Sequence, residues 1–286
     1  MASRLDQLLV ERGLFPSREQ ARRAVMAGLI RVDGRRMDKP GTAVGAAAAL
    51  EVTEREPFVS RAGRKLAAAL DHYSLDPAGW VCLDVGASTG GFTHCLLERG
   101  ARRVYALDVG HGQLDLRLRQ DPRVVVMERV NARHLAAGAL PEPCDLVTVD
   151  VSFISLLKVV PALLPHLRRP AVAVPGGSGA SGYLLVLIKP QFEAGRGAVG
   201  KGGILRDEAL RRRVIDECAG RLAEIGGIGE IGEIGAIGLA GAIGEVGGHR
   251  AAPAAALELA GACFDSPVAG SGGNREAFAL LRRRAA

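Results

Sequence analysis

The chain has 286 residues, 48% hydrophobic and 4% aromatic, and a formal net charge of +6. That length suits one large or two unequal domains with an ample core, and so few aromatics speak against extensive base-stacking surfaces. No apolar run reaches the roughly 18 residues of a membrane span, and five scattered cysteines without a C-x-x-C pair argue against a disulfide framework or a cysteine zinc site.

The chain opens on Met1-Ala2-Ser3-Arg4-Leu5-Asp6, without the apolar core of a signal peptide. A cytoplasmic protein with reduced thiols is expected. Leu5, Leu8, Leu9 and Val10 recur at helical spacing, and Gly13 closes that helix. Ser17, with Gln20 three residues later, forms a capping box for a second helix. Its Ala21, Ala24 and Val25 face inward, its Arg18, Arg22 and Arg23 are available outward, and Gly28 stops it. Leu29 to Val32 reads as a strand entering a hairpin at Asp33-Gly34, a pair that tolerates the positive φ values required. Residues 1–41 hold nine Arg or Lys against five Asp or Glu, a net +4. Two helices and a hairpin with this charge predict a phosphate-binding face for nucleic acid, with Arg4, Arg18, Arg22 and Arg23 as its contacts. A dimerisation module with an ordinary solvated basic face is the competing reading. From Gly41 to about Glu56 the module ends and passes into a linker, so the domains are drawn at 1–56 and 57–286.

The second region begins near Phe58, and its first helix runs through Lys65 and Leu66 to Leu70. A strand at 80–84 then ends in Asp84, breaks into a glycine-rich turn and restarts as a helix near 91–99. The turn, Gly86-Ala87-Ser88-Thr89-Gly90-Gly91-Phe92, is neither the dinucleotide pattern G-x-G-x-x-G nor a phosphate loop ending in G-K-[ST]. It is closer to a loop that wraps S-adenosylmethionine, which has no phosphate to cradle. Asp84, Gly86, Ser88, Thr89, Gly90, Gly91 and Phe92 are therefore candidate cofactor residues. The next strand, 104–108, ends in Asp108, whose carboxylate is placed to accept the ribose hydroxyls. A tight strand–helix turn without a ligand is the alternative, and Asp108 favours the cofactor site.

Further strands are predicted at 124–127, 145–150 and 183–189, and helices near 113–119, 153–168 and 207–223. Strands separated by helices predict an α/β, Rossmann-like and mainly parallel sheet covered on both faces. Ligands of such sheets sit beyond the carboxyl ends of the strands, where Asp84, Asp108, Asp150 and Lys189 fall. A lysine closing a buried apolar strand is a costly place for a charge, and Pro190 holds it extended. It can activate a hydroxyl, taking the proton when neutral or stabilising the oxyanion when charged. Asp150 would orient it, although a purely structural Lys–Asp pair is the plainer alternative. Two segments are low in complexity: a flexible loop at 176–182, and Ile-Gly triplets at 224–248 that suit an expanded surface loop or a strand with a duplicated turn.

Several motifs coincide with those of a known family. From Val59 onward the chain resembles the FtsJ-like RNA 2′-O-methyltransferases, and with its N-terminal module, which resembles the S4 RNA-binding domain, it resembles the TlyA family over nearly its whole length. The motifs are Val59-Ser60-Arg61-x-Gly63-x-Lys65-Leu66, Asp84 through Thr93, Asp150-Val151-Ser152-Phe153-Ile154-Ser155, Lys189-Pro190-Gln191-Phe192-Glu193-Ala194-Gly195, Gly200-Lys201-Gly202-Gly203 and Gly273-Asn274-Arg275-Glu276. The resemblance implies a catalytic tetrad on Lys65, Asp150, Lys189 and Glu276, the last lying beyond the Ile-Gly insertion. It also implies that Asn131 follows the third strand where a loop approaches the adenine, although a turn residue fits there equally. The reaction implied is attack of a ribose 2′-oxygen, that of a cytidine in ribosomal RNA, on the methyl of S-adenosylmethionine. No metal is required, because the leaving group is a neutral thioether. The implied partners are ribosomal RNA and the ribosomal subunits, with no membrane. Two rivals stay open: an RNA-binding ribosome-assembly factor without catalysis, and a membrane-acting hemolysin, the label that many members of the family carry.

Overall fold

The computed structural model describes residues 2–53, 57–170, 181–194, 199–200, 203–225, 256–270 and 273–284. The glycine-rich stretch 176–180, Gly195, Lys201, Gly202 and the repeat at 226–248 lie outside them. The chain divides into two compact units, Met1–Pro57 and Phe58–Ala286.

The first unit runs β1 (Ala2–Arg4), α1 (Leu5–Glu11), α2 (Arg18–Met26), β2 (Ile30–Val32), β3 (Arg35–Met37), β4 (Ala43–Gly45) and β5 (Leu50–Val52). Ser17 caps α2 by accepting the Gln20 N–H at 3.3 Å. Asp33 and Gly34 both have positive φ and form the two-residue turn between the paired Val32 and Arg35. Leu5, Leu9, Ala21, Val25 and Ile30 are fully buried, so α1 and α2 share one small core with the strands. Strands β4 and β5 occupy the stretch read as the passage into a linker. They pair with β1 and β2 respectively, and three-residue strands are too short to show a period-2 pattern on their own.

The second unit is a mixed α/β sheet. Its strands are β6 (Val81–Val85), β7 (Arg103–Asp108), β8 (Val124–Glu128), β9 (Leu146–Val149), β10 (Tyr183–Ile188), β11 (Leu257–Leu259), β12 (Phe264–Asp265) and β13 (Ala277–Arg283). Their order is β11-β13-β10-β9-β6-β7-β8, with β12 also pairing with β13. The run from β10 to β8 is parallel, and β13 enters antiparallel to β10. The helices are α3 (Ala62–His72), α4 (Gly91–Glu98), α5 (Leu116–Arg119), α6 (Leu156–Leu163), α7 (Pro190–Glu193) and α8 (Glu208–Ala223).

Alternation along the strands builds two cores. Leu83, Val85, Tyr105, Leu107, Val186 and Ile188 pack with α6 and α8, while Cys82, Val104, Ala106, Leu185 and Leu187 pack with α3 and α4. Each large aliphatic side chain so buried is worth about 1.5–3 kcal/mol. The five cysteines are unpaired, four of them buried. Two predicted helices are shorter than their patterns. Asp115 caps α5 through the Arg117 N–H, and Ser155 caps α6 through the Leu157 N–H, which leaves 113–115 and 153–155 outside the helices. Strands β11 to β13 were not anticipated from the sequence. From β6 the chain steps outward through β7 to β8, then returns to place β9 on the other side of β6. That reversal opens a crevice at the carboxyl ends of β6 and β9.

Candidate active site

The glycine turn closes the floor of this crevice. Gly86 has φ of 84°, and a Cβ there would lie 2.4 Å from the Asp150 carbonyl oxygen. Only glycine lets the end of β6 approach the segment after β9 so closely. Ser88 N–H donates to Asp108 Oδ2 at 2.8 Å, and Gly110 N–H donates to Oδ1 at 2.7 Å. Asp108 thus ties the glycine turn to the loop after β7. It lines a cavity of about 570 Å³ together with Gly86, Ser88, Leu107, Val130 and Asn131. Asn131 lies at the wall and also caps the short helical turn behind it, accepting the Arg133 N–H at 3.0 Å.

Asp84 is placed differently from its expected role. It is fully buried, accepts the Thr93 hydroxyl at 2.7 Å and the Thr148 hydroxyl at 3.3 Å, and lines neither cavity of the crevice. Burial pushes its carboxyl up to about 7; the Thr93 and Thr148 hydrogen bonds only partly oppose this, and the Asp150 charge adds to it. Asp84 braces α4 against β9 through these two hydroxyls. Gly90, at φ of 96°, likewise faces Leu114 and Leu118 and lines neither cavity.

A second cavity, about 400 Å³, shares Gly86, Ser88 and Asp150 with the first, so the two are contiguous. Thr89, Gly91 and Phe92 of the glycine turn line it, and so do Lys65, Asp150, Lys189 and Glu276. The four charged side chains form two ion pairs. Lys65 Nζ donates to Glu276 Oε2 at 2.6 Å, and Lys189 Nζ lies 2.7 Å from Asp150 Oδ1. Strand register explains the meeting. Ile188 pairs with Ala277 across β10 and β13, and one step beyond that pair stand Lys189 and Glu276. Asn274, named from the sequence only as part of its motif, secures the approach to β13: it accepts the Leu205 N–H at 3.0 Å and donates to the Gly203 carbonyl at 2.8 Å.

Besides the Lys189–Asp150 pair, four contacts fasten the motifs that follow β9 and β10 to one another. Lys189 Nζ donates to Ser152 Oγ at 2.8 Å. The Phe153 and Phe192 rings meet with centroids 5.0 Å apart. Glu193 accepts the Ser155 hydroxyl at 2.7 Å and the Leu156 N–H at 2.8 Å. Neither Ser152 nor Glu193 was singled out from the sequence, although both lie inside the quoted motifs.

In the first unit, Arg4 and Arg18 converge on Asp6, which is fully buried. Burial alone would raise its carboxyl, but hydrogen bonds from Arg4 and Arg18 and their charges hold it below the usual range. Both guanidinium groups are about half exposed. Arg22 is exposed on α2, and Arg23 makes only a 3.8 Å surface pair with Glu19. Among the described residues no cluster of His, Cys, Asp and Glu is arranged to hold a metal, and no helix is long and apolar enough to cross a membrane.

Comparison with known proteins matches residues 58–225 to the FtsJ-like methyltransferases and residues 3–48 to the S4 domain. The 16S/23S rRNA (cytidine-2′-O)-methyltransferase TlyA of Mycobacterium tuberculosis is 49% identical over 226 residues, 78% of this chain and 80% of that protein. YqxC of Bacillus subtilis, provisionally named an rRNA methyltransferase, is 45% identical over 214 residues, 74% of this chain and 72% of that one. A solved structure from Streptococcus thermophilus with a provisional hemolysin name superposes with a TM-score of 0.66 at 34% identity, covering 99% of this chain and 88% of that one.

Proposed function

Since the chain belongs to the FtsJ-like methyltransferase family and carries an S4 domain beside that domain, we propose that it transfers a methyl group from S-adenosylmethionine to the 2′-oxygen of a cytidine ribose in ribosomal RNA. One observation carries this reading above the others: two lysine–carboxylate pairs, Lys65–Glu276 and Lys189–Asp150, line one cavity together with the glycine turn.

The cavities suit the cofactor. Together they offer a nucleoside-sized space with an acid, Asp108, at one wall and apolar Leu107 and Val130 beside it. Asp108 would hold the ribose, Asn131 the edge of the base, and Gly86, Ser88, Thr89, Gly91 and Phe92 the amino-acid portion near the tetrad. When bound, S-adenosylmethionine supplies an electrophilic methyl on a sulfonium. Lys189 acts on the acceptor hydroxyl, receiving its proton when neutral or stabilising the developing oxyanion when charged. Asp150 orients that lysine. Lys65 and Glu276 hold the ribose and fix the charge balance beside it.

The S4 domain docks structured RNA by phosphate contacts, which position a substrate without reading its sequence. Arg4, Arg18, Arg22 and Arg23 are the residues assigned to that work, and a ribosomal substrate places the protein in the cytoplasm. The test is chemical. Ribosomal subunits from cells lacking the modification are incubated with protein and S-adenosylmethionine, and the digested nucleosides are resolved by mass spectrometry. A 2′-O-methylcytidine is the expected product, and a methyl on a base would overturn the assignment.

A further inference from the structure

The segment after β9 offers the acceptor lysine more than its carboxylate partner. A lysine Nζ has three hydrogen-bonding directions. In this structure Asp150 Oδ1 stands 2.7 Å from Nζ and Ser152 Oγ stands 2.8 Å from it. Lys189 lines the catalytic cavity, while Ser152 lines the contiguous one that holds Asp108. Ser152 Oγ therefore accepts along one direction, while Asp150 Oδ1 lies beside Nζ as an ion pair outside hydrogen-bond geometry, and the remaining directions are left for the cavity.

We propose that Ser152 is a positioning residue for Lys189: by holding one Nζ direction beside the Asp150 charge, it turns the others toward the acceptor hydroxyl. The inference rests on the methyl-transfer reading above. Asp150 supplies charge at 2.7 Å but no directional hydrogen bond, and so leaves the ammonium free to turn. A second contact from Ser152 removes that freedom. The geometry of Ser152 is itself secured. Its neighbour Phe153 takes a left-handed backbone conformation, φ of 64°, and packs against Phe192, while Glu193 holds Ser155 and the Leu156 N–H. A left-handed phenylalanine is strained and persists only where its surroundings over-determine it. The Phe153 side chain is itself 90% exposed, so the restraint on this stretch comes from Glu193, which holds Ser155 and the Leu156 N–H.

The test compares wild type, Ser152→Ala, Ser152→Thr and Lys189→Ala in two measurements: methyl transfer from labelled S-adenosylmethionine to ribosomal subunits, and S-adenosylmethionine binding by titration calorimetry. Removal of a hydrogen bond to a charged group predicts a fall in kcat of about tenfold or more for Ser152→Ala. KM for RNA and cofactor affinity should stay within about twofold of wild type. Ser152→Thr, which keeps the hydroxyl, should recover most of the rate. Equal kcat in wild type and Ser152→Ala would overturn the positioning role, as would loss of cofactor affinity in that variant or failure of threonine to rescue. Absence of transfer by wild type itself would instead overturn the reading on which the inference rests.

Discussion

Lys65 Nζ and Glu276 Oε2 stand 2.6 Å apart although 211 residues separate them in the chain. The contact is buried, with side-chain exposures of 10% and 3%, and Gly270 makes room for it, since a Cβ there would lie 2.1 Å from Glu276 Oε1. Removing one member of such a pair leaves a charge without compensation, at a cost of about 3–5 kcal/mol. Glu276→Gln should therefore lower stability by about 3 kcal/mol in urea melts and suppress methyl transfer as well. Replacing both partners by apolar residues should recover stability but not activity.

Asp108 accepts two backbone N–H groups, from Ser88 and Gly110, and lines the larger cavity. Asp108→Asn keeps the shape but removes the charge and one of the two acceptors that Ser88 and Gly110 N–H use. With hydrogen bonds to charged groups worth about 1.5–3 kcal/mol, affinity for S-adenosylmethionine should fall roughly ten- to a hundredfold by calorimetry. Binding of ribosomal RNA should be unchanged, since Asp108 lies in the methyltransferase domain.

Asp84 makes stability depend on pH in an unusual direction. Its carboxyl sits at about 7 in the fold, against about 3.9 in an unfolded chain. Between those values the folded state binds the proton more tightly, so the contribution is full below about pH 4 and is lost as pH rises through about 7. Asp84→Asn removes this dependence while keeping partners for Thr93 and Thr148. In melts at pH 5 and pH 8, the stability of the variant relative to wild type should be greater at pH 8. An unchanged difference would show that Asp84 does not titrate with folding.

Arg4 and Arg18 are held on Asp6, whereas Arg22 is exposed on the same helix as Arg18. Replacing Arg18, Arg22 and Arg23 together should weaken binding to ribosomal RNA and flatten its salt dependence, by roughly 0.7–0.9 in log–log slope for each phosphate no longer neutralised. Cofactor affinity should not change. An unaltered slope in filter-binding titrations would remove these arginines from the RNA-binding face.

The glycine turn and Asp108 were legible because their contacts are local: a strand end, a turn and the next strand end follow one another closely. Lys189 and Asp150 were legible as strand-end residues of a parallel sheet. Glu276 could be named only through the family motif, because β13 reaches β10 after an insertion whose pattern favours no regular element. That Asp84 lines neither cavity has a reason the sequence does contain. In β6 it shares a face with Cys82, toward α3 and α4, so its side chain turns to Thr93 and not out past the strand end. The contacts of Ser152 and Glu193 could not be read from the sequence because irregular segments have no periodicity, and those contacts exist only once the two motifs lie side by side.

In the proposed mechanism Lys189 is the group that acts on the acceptor ribose hydroxyl. The most direct measurement is transfer of labelled methyl from S-adenosylmethionine to ribosomal subunits by wild type and Lys189→Ala, followed by alkaline hydrolysis of the RNA. A blocked 2′-oxygen cannot attack the adjacent phosphate, so wild type should leave the label in an alkali-resistant dinucleotide. Lys189→Ala should bind cofactor normally yet transfer about 10²–10⁴-fold more slowly. Label recovered in alkali-labile mononucleotides, or a Lys189→Ala variant as fast as wild type, would contradict the mechanism.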